Sequence, residues 1–322
     1  MTGARDAGAG FHLAAKPAVV TTAHQGAPNR HHRIQIDTGF LPAQCRAQQG
    51  GSVSHAHDNS ATSPIAQAFV GARRGGRALD GYPGLPPESL EAAYLIQDEA
   101  IAAWPDRIAG WKLGRINPPH DARFAAGRLA GPIFSRNVWT AGNTPTRFGV
   151  IEGGFAAVEA EYVLELGETA PDRSGWTGDT VAPLVSRAFI GVEIAGSPFA
   201  GINAHGPAVT ASDFGNNAGL ILGGAIDGWR ERLSELKCTM SINDVVIGRG
   251  GAASIPGGPL DSLAFLLNLL HRRGRRLEAG QLVSTGAATG VHEILVGQSA
   301  VADFGTDGHI DCLAVPATGA IA

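Results

Sequence analysis

The stretch Val158-Glu159-Ala160-Glu161-Tyr162-Val163-Leu164-Glu165-Leu166 carries the most information in this chain. Its apolar and acidic residues alternate. Read as a β-strand, it puts Val158, Ala160, Tyr162, Leu164 and Leu166 on one face and Glu159, Glu161, Val163 and Glu165 on the other. Two residues of strand advance ~6.6 Å, so Glu159 and Glu161 can converge on one ion from one side. Oxygen ligands suit Mg²⁺, Mn²⁺ or Ca²⁺ rather than a sulfur-preferring metal. The same alternation also describes a half-solvated strand whose glutamates face water.

Two flanking strands carry isolated charges. In Ala188-Phe189-Ile190-Gly191-Val192-Glu193-Ile194 the branched residues point one way, and Glu193 shares the other face with Phe189 and Gly191. An acid in so apolar a strand is costly to bury unless paired or metal-bound, so Glu193 reads as a salt-bridge partner or as a third ligand. In Gly110-Trp111-Lys112-Leu113-Gly114 the lysine is flanked on its own face by two glycines, which leaves room around its ammonium. Such a cation beside a metal could bind a carboxylate or stabilise an enolate. An edge lysine reaching to solvent fits the same pattern.

Outward from these strands, the texture is strand, turn and glycine: 45 of 322 residues are glycine, about twice the usual ~7%. "NAGLILGG", "CTMSINDVVIGRG", "QLVSTGAA" and "HIDCLAV" are short apolar runs bounded by turn residues. Two helices are predicted before them. One starts at Ser63-Pro64, and one follows Pro86-Pro87 with Leu90, Ala93, Tyr94, Ile101 and Trp104 near helical spacing. A later helix carries Leu260, Leu263, Leu266, Leu267 and Leu270 and closes at Gly274. Strands with a few non-alternating helices predict an α+β fold. Residues 62–144 hold the first helices and the lysine strand; residues 145–322 hold the acids. Residues 1–61 hold six of the eleven histidines and little apolar periodicity, and read as a disordered or loosely attached extension.

Composition narrows the function. The net charge of −4 gives no electrostatic case for nucleic acid. No apolar run approaches the ~18–20 residues of a membrane span. Cys45, Cys238 and Cys312 are too scattered for a disulfide framework or zinc site, which fits a reducing, cytoplasmic setting. The chain lacks a GxSxG elbow and a P-loop. The basic run His271–Arg276 lies at a helix end, where cations suit the dipole.

The ordered set "GWKLG" (from Gly110), "GPIF" (Gly131), "VEAEYVLELG" (Val158), "GVEIAGSP" (Gly191), "SDFGNNAGLILGG" (Ser212), "GQLVSTGAATG" (Gly280) and "GQSAVADFGTDG" (Gly297) resembles the fumarylacetoacetate hydrolase superfamily. It looks most like that family's 2-keto-4-pentenoate hydratase and 4-oxalocrotonate decarboxylase branch, over about residues 62–316. The resemblance implies a mixed β-roll of the fumarylacetoacetase C-terminal type with flanking helices, over residues 145–322, and a divalent ion, Mg²⁺ or Mn²⁺. It implies Glu159, Glu161 and Glu193 as metal ligands, Glu193 and Lys112 as catalytic residues, and Lys112, Asp213, Asn217, Thr285 and Gly286 as substrate contacts. Two positions depart from the branch's pattern: Ile133 and Phe214 stand where polar residues are common. His120 falls in a candidate lid, with no matching glutamate in that loop.

The activity implied is a hydro-lyase. Water adds to a short 2-hydroxydienoate or 2-oxo-enoate through a metal-stabilised dienolate. The alternatives are decarboxylation of 4-oxalocrotonate through the same dienolate, C–C hydrolysis of an acylpyruvate, and a non-catalytic partner subunit. The expected partners are a small 2-oxo acid and further copies of the chain in a homo-oligomer, with neither nucleic acid nor membrane.

Overall fold

A computed structural model describes residues 62–318; the extension read over 1–61 lies outside the described residues. Helix α1 (Pro64–Gly75) begins where Ser63 accepts a hydrogen bond from the Ile65 amide, with proline in the first turn. It ends at Gly76, in the left-handed conformation that glycine adopts without penalty. Helix α2 (Leu90–Ala103) is capped by Ser89. Then come β1 (Ile108–Arg115), the short α3 (His120–Phe124), β2 (Arg128–Phe134), β3 (Val138–Thr140), β4 (Thr146–Val150) and the long β5 (Phe155–Leu166). Next are α4 (Gly178–Val181), β6 (Val185–Ser197), α5 (Pro207–Ser212), β7 (Asn217–Ala225) and α6 (Trp229–Arg232). The chain finishes with β8 (Lys237–Ile242), β9 (Val245–Gly251), α7 (Gly258–Arg272), β10 (Leu282–Ser284), β11 (His292–Glu293), β12 (Ser299–Asp303) and β13 (His309–Pro316).

The strands form two curled sheets. The larger has the order β2-β1-β10-β5-β6-β7-β3, with β11 also pairing β5; the smaller has the order β4-β13-β12-β8-β9. The larger sheet takes strands from both sides of residue 145. The β8–β9 hairpin turns at Asn243 and Asp244, both at positive φ, the conformation a tight two-residue loop requires. The fold is α+β, as the strand and helix patterns predict.

One principal core joins the sheets. Val158, Ala160, Tyr162, Leu164 and Leu166 of β5 and Ile190, Val192 and Ile194 of β6 pack in one cluster with Met240, Ala302 and Ile310 of the smaller sheet and with α7. The opposite face of β5 and β6 is covered too. Val163 and Phe189 pack there with Ile133, Leu220 and Leu282, and Phe155, Ala157 and Ala195 pack with Phe69 of α1. This second layer overturns the half-solvated reading of β5: Glu159 is 3% exposed, and Glu161 and Glu193 are fully buried. Among the described residues, no helix is long and apolar enough to cross a membrane.

Candidate metal centre and active site

Strands β5 and β6 pair antiparallel with Glu159 directly opposite Glu193 and Glu161 opposite Gly191. Opposed residues share a face, and each of the three glutamates offers an oxygen within 4.8 Å of the other two. Gly191 leaves no open space; Val163 fills the position a β-carbon would take. Glu165, on the same face of β5, stays apart and pairs with Arg187 at 2.7 Å.

Each carboxylate is held from behind. Glu161 Oε2 accepts from Ser284 Oγ at 2.6 Å and from the Gly286 amide at 2.8 Å. Glu193 Oε1 accepts from Asn217 Nδ2 at 3.0 Å. Glu161 Oε1 and Glu193 Oε2 are buried without a hydrogen-bond donor. Lys112 Nζ lies 3.1 Å from Glu193 Oε2, an ion pair by distance, with the oxygen outside good hydrogen-bonding angles. Lys112 also donates to Asn216 Oδ1 at 3.1 Å. It is 2% exposed, so it is no edge lysine reaching to solvent.

A β-carbon at Gly114 would only touch the Lys112 ammonium at ordinary contact distance, so this glycine does leave some room, but Gly110 does not widen the pocket. A β-carbon at Gly110 would run into the Leu282 carbonyl, so this glycine serves the close approach of β10.

Three glutamates and one lysine carry a formal −2 within one buried cluster. Burial, then Glu193, pushes Glu159 up to about 8, against the pull of Lys112. Burial, then Glu193 and Glu159, raises Glu161 well above the carboxylate range despite its two donors. Burial works against the Lys112 ammonium, but Glu193, Glu159 and Glu161 outweigh it and hold the charged form. Like charges this close cannot all ionise unaided. An all-oxygen set with two donor-free oxygens and a surplus of −2 fits a hard divalent cation.

Lys112 and Glu159 open the cluster onto a cavity of about 590 Å³, lined beside them by Asn216, Thr285 and Gly286. Thr285 Oγ1 donates to the Tyr162 carbonyl at 2.7 Å, so its proton is committed inward. His120 lines the wall, and its Nδ1 is buried without a partner.

Of the positions carried over from motifs, Lys112, Glu159, Thr285 and Gly286 line this floor, and Glu161 and Glu193 are fully buried beside Glu159. Asn217 sits one hydrogen bond behind Glu193. Asp213 does not reach the cavity: both its oxygens are taken by Arg73 of α1, at 2.6 and 2.9 Å. Arg73 also donates to the Asn217 and Gly196 carbonyls. Ile133 and Phe214 are buried packing residues. Ile133 lies under the Val163 face, and Phe214 lies against Trp104 and Phe134. Sequence reasoning missed Asn216 and Ser284. Phe214, Gly215 and Asn216 all have positive φ, which points Asn216 at Lys112. Asparagine tolerates that conformation better than most residues, so the Gly-Asn pair was the available signal. A β-carbon at Gly131 would strike the Phe214 carbonyl, so this turn packs directly on β2.

No protein-family model matches the chain. It is 35% identical over 104 residues to 2-oxo-hept-4-ene-1,7-dioate hydratase of Escherichia coli, a match spanning 32% of this chain and only 39% of that enzyme. It is 26% identical over 206 residues to 2-keto-4-pentenoate hydratase 1 of Dechloromonas aromatica (strain RCB), spanning 61% of this chain and 75% of that one. Among solved structures, 4-oxalocrotonate decarboxylase from Pseudomonas putida G7, complexed with magnesium and adipate, superposes with a TM-score of 0.67. That superposition covers 78% of this chain and 96% of the decarboxylase at 21% identity, a likeness of fold. These similarities agree with the resemblance to the fumarylacetoacetate hydrolase superfamily read from the sequence. The chain's mixed sheets share the fold of that decarboxylase, and Lys112 and Glu159 line the cavity with Glu161 and Glu193 close to Glu159.

Proposed function

We propose that this protein is a divalent-metal-dependent lyase acting on short 2-oxo acids, similar to 2-keto-4-pentenoate hydratase. The observation that carries the reading is the buried cluster of Glu159, Glu161, Glu193 and Lys112, which reaches a cavity of about 590 Å³ through Lys112 and Glu159. The three glutamates would hold Mg²⁺ or Mn²⁺. Bound there, the ion would supply Lewis-acid polarisation of the 2-oxo oxygen.

Lys112 keeps its charge next to the reacting end of the substrate, fixed by Glu193 and Asn216. A fixed cation favours a developing dienolate over the neutral ketone, and so stabilises the transition state selectively. Ser284 Oγ and the Gly286 amide hold Glu161 Oε2, which aims Oε1 into the cluster. Burial of these side chains strengthens each of these charge interactions. His120, with its free Nδ1, is the wall residue available to carry a proton to or from the substrate's far carbons.

Decarboxylation through the same dienolate is the second reading. It is favoured by Ile133 and Phe214, which are packed into apolar clusters and cannot activate water.

The deciding experiment incubates the protein with 2-hydroxypenta-2,4-dienoate, 4-oxalocrotonate and an acylpyruvate, with and without Mg²⁺, and resolves the products. Mg²⁺-dependent hydration is the expected result. Failure to turn over any of the three with Mg²⁺ or Mn²⁺ would refute the lyase reading.

A further inference from the structure

Lys112 donates to Asn216 Oδ1 at 3.1 Å, and Asn216 Nδ2 donates in turn to Asn203 Oδ1 at 3.0 Å. Asn203 lies on the loop between β6 and α5, where it lines the cavity. Chemistry allows this chain only one direction. An ammonium has three donors and no acceptor, so only the oxygen of the Asn216 amide can face it. The amide nitrogen then points the other way, where it needs an acceptor, and Asn203 Oδ1 supplies one.

A primary amide keeps nearly the same shape when its oxygen and nitrogen are exchanged. Packing alone therefore cannot fix which end faces Lys112; the hydrogen-bond partners do. Turned over, the Asn216 amide would set its nitrogen against the ammonium, donor to donor. Asn216 is 4% exposed, so an unpaired Nδ2 would be left with little access to water. The other anchor of Lys112 is shared: Nζ lies 3.1 Å from Glu193 Oε2, and Glu193 is one of the three carboxylates that could hold an ion. Asn216 Oδ1 is a neutral acceptor outside that triad.

The loop is anchored beside Asn203. Ile202 is fully buried in a cluster with Phe69 and Phe199, and its carbonyl accepts from Thr210 Oγ1 at 3.2 Å. The Asn203 carbonyl accepts from the Gly206 amide. Asn203 is itself exposed, so its side chain can be replaced without opening a core.

We propose that Asn203 is a positioning residue, which fixes the sense of the Asn216 amide and so holds the Lys112 ammonium at the cavity. Its effect on turnover rests on the lyase reading of Lys112; the hydrogen-bond chain does not. Asn203 is two hydrogen bonds from the ammonium and bonds none of the three glutamates, so it should act on rate and not on metal affinity.

The test compares the full chain as wild type, Asn203→Ala and Asn203→Asp. Aspartate keeps an oxygen for Asn216 Nδ2, and alanine removes it. The first readout needs no turnover. It is hydrogen exchange of the Asn216 side-chain amide, followed by NMR on asparagine-labelled protein and identified by its loss in Asn216→Ser. Exchange should quicken about tenfold in Asn203→Ala, the worth of one hydrogen bond, and stay near wild type in Asn203→Asp. The second readout is kcat on whichever 2-oxo acid is turned over with Mg²⁺. It should fall about tenfold in Asn203→Ala with KM little changed, as when a group acting in the transition state is displaced, and recover in Asn203→Asp. The rescue is read on kcat because the added charge acts on the binding of an anion. Calorimetric Mg²⁺ affinity should be unchanged in Asn203→Ala. Unchanged exchange in Asn203→Ala, or faster exchange with unchanged kcat, would overturn the positioning role and leave the lyase reading standing. So would equal loss of kcat in both variants, or weakened Mg²⁺ binding in Asn203→Ala. Turnover of no 2-oxo acid would refute the lyase reading, and the exchange rates would still decide whether Asn203 fixes the amide.

Discussion

Arg73→Met tests how the first helix supports the candidate metal centre. Arg73 is almost fully enclosed, and Asp213 is completely buried. The guanidinium donates to both Asp213 oxygens, at 2.6 and 2.9 Å, and to the Asn217 and Gly196 carbonyls, at 2.9 and 2.8 Å. Methionine keeps much of the stem's volume but strands a buried carboxylate, which costs about 3–5 kcal/mol. At about 2 °C per kcal/mol for a unit of this size, Tm should fall by roughly 6–10 °C. The effect should also reach the metal site, because Asn217 Nδ2 donates to Glu193 Oε1. Loosening the support of a ligand typically costs about 10–100-fold in metal affinity. Thermal denaturation and calorimetric Mg²⁺ titration measure the two effects separately. The double variant Arg73→Met/Asp213→Leu removes both charges and should regain most of the Tm, since replacing a whole buried pair with apolar groups is often close to neutral. A Tm within 2 °C of wild type (roughly 1 kcal/mol) together with unchanged Mg²⁺ affinity for Arg73→Met would refute this account. It would also return Asp213 to consideration as a substrate contact.

Glu161→Gln should abolish the Mg²⁺-induced rise in Tm while leaving the metal-free Tm equal or higher, because it removes one like charge from a buried cluster. A preserved Mg²⁺ shift would exclude Glu161 as a ligand. Lys112→Met should lower turnover by about 10²–10³, comparable to losing one oxyanion donor; near-wild-type turnover on the identified substrate would remove Lys112 from the mechanism. The metal-free protein should lose stability as pH rises. Glu159 is held up at about 8 against an ordinary 4.5, so the fold favours its protonated form. That contribution is complete below about 4.5 and is lost as pH climbs through 8, at up to about 1.4 kcal/mol per pH unit. Tm measured in Mg²⁺ and in EDTA should therefore diverge from pH 5.5 to pH 8, and a constant difference would contradict the assignment.

What the sequence determined by itself is local. Period-two alternation placed Glu159 and Glu161 on one face of β5, and the cap Ser63 and the prolines before Leu90 marked where α1 and α2 begin, because these signals act within a few residues. Strand β2 escaped notice because Gly131-Pro132 interrupts it. Proline is tolerated there because β2 is an edge strand of its sheet. What only the tertiary structure decided is what depends on register and covering layers. That Glu193 stands opposite Glu159, and Arg115 opposite Arg128, follows from strand pairing between distant segments, and a slip of one residue would send each side chain to the other face. That the glutamates are buried depends on a second apolar layer drawn from α1, β2 and β7, although alternation in one strand ordinarily signals a wet face. Asp213 and Asn216 lie three residues apart and look alike as polar candidates. Arg73, 140 positions earlier, captures the first, and a left-handed turn presents the second to Lys112. Their separate roles arise because a buried polar group must be satisfied by whichever partner the fold brings to it.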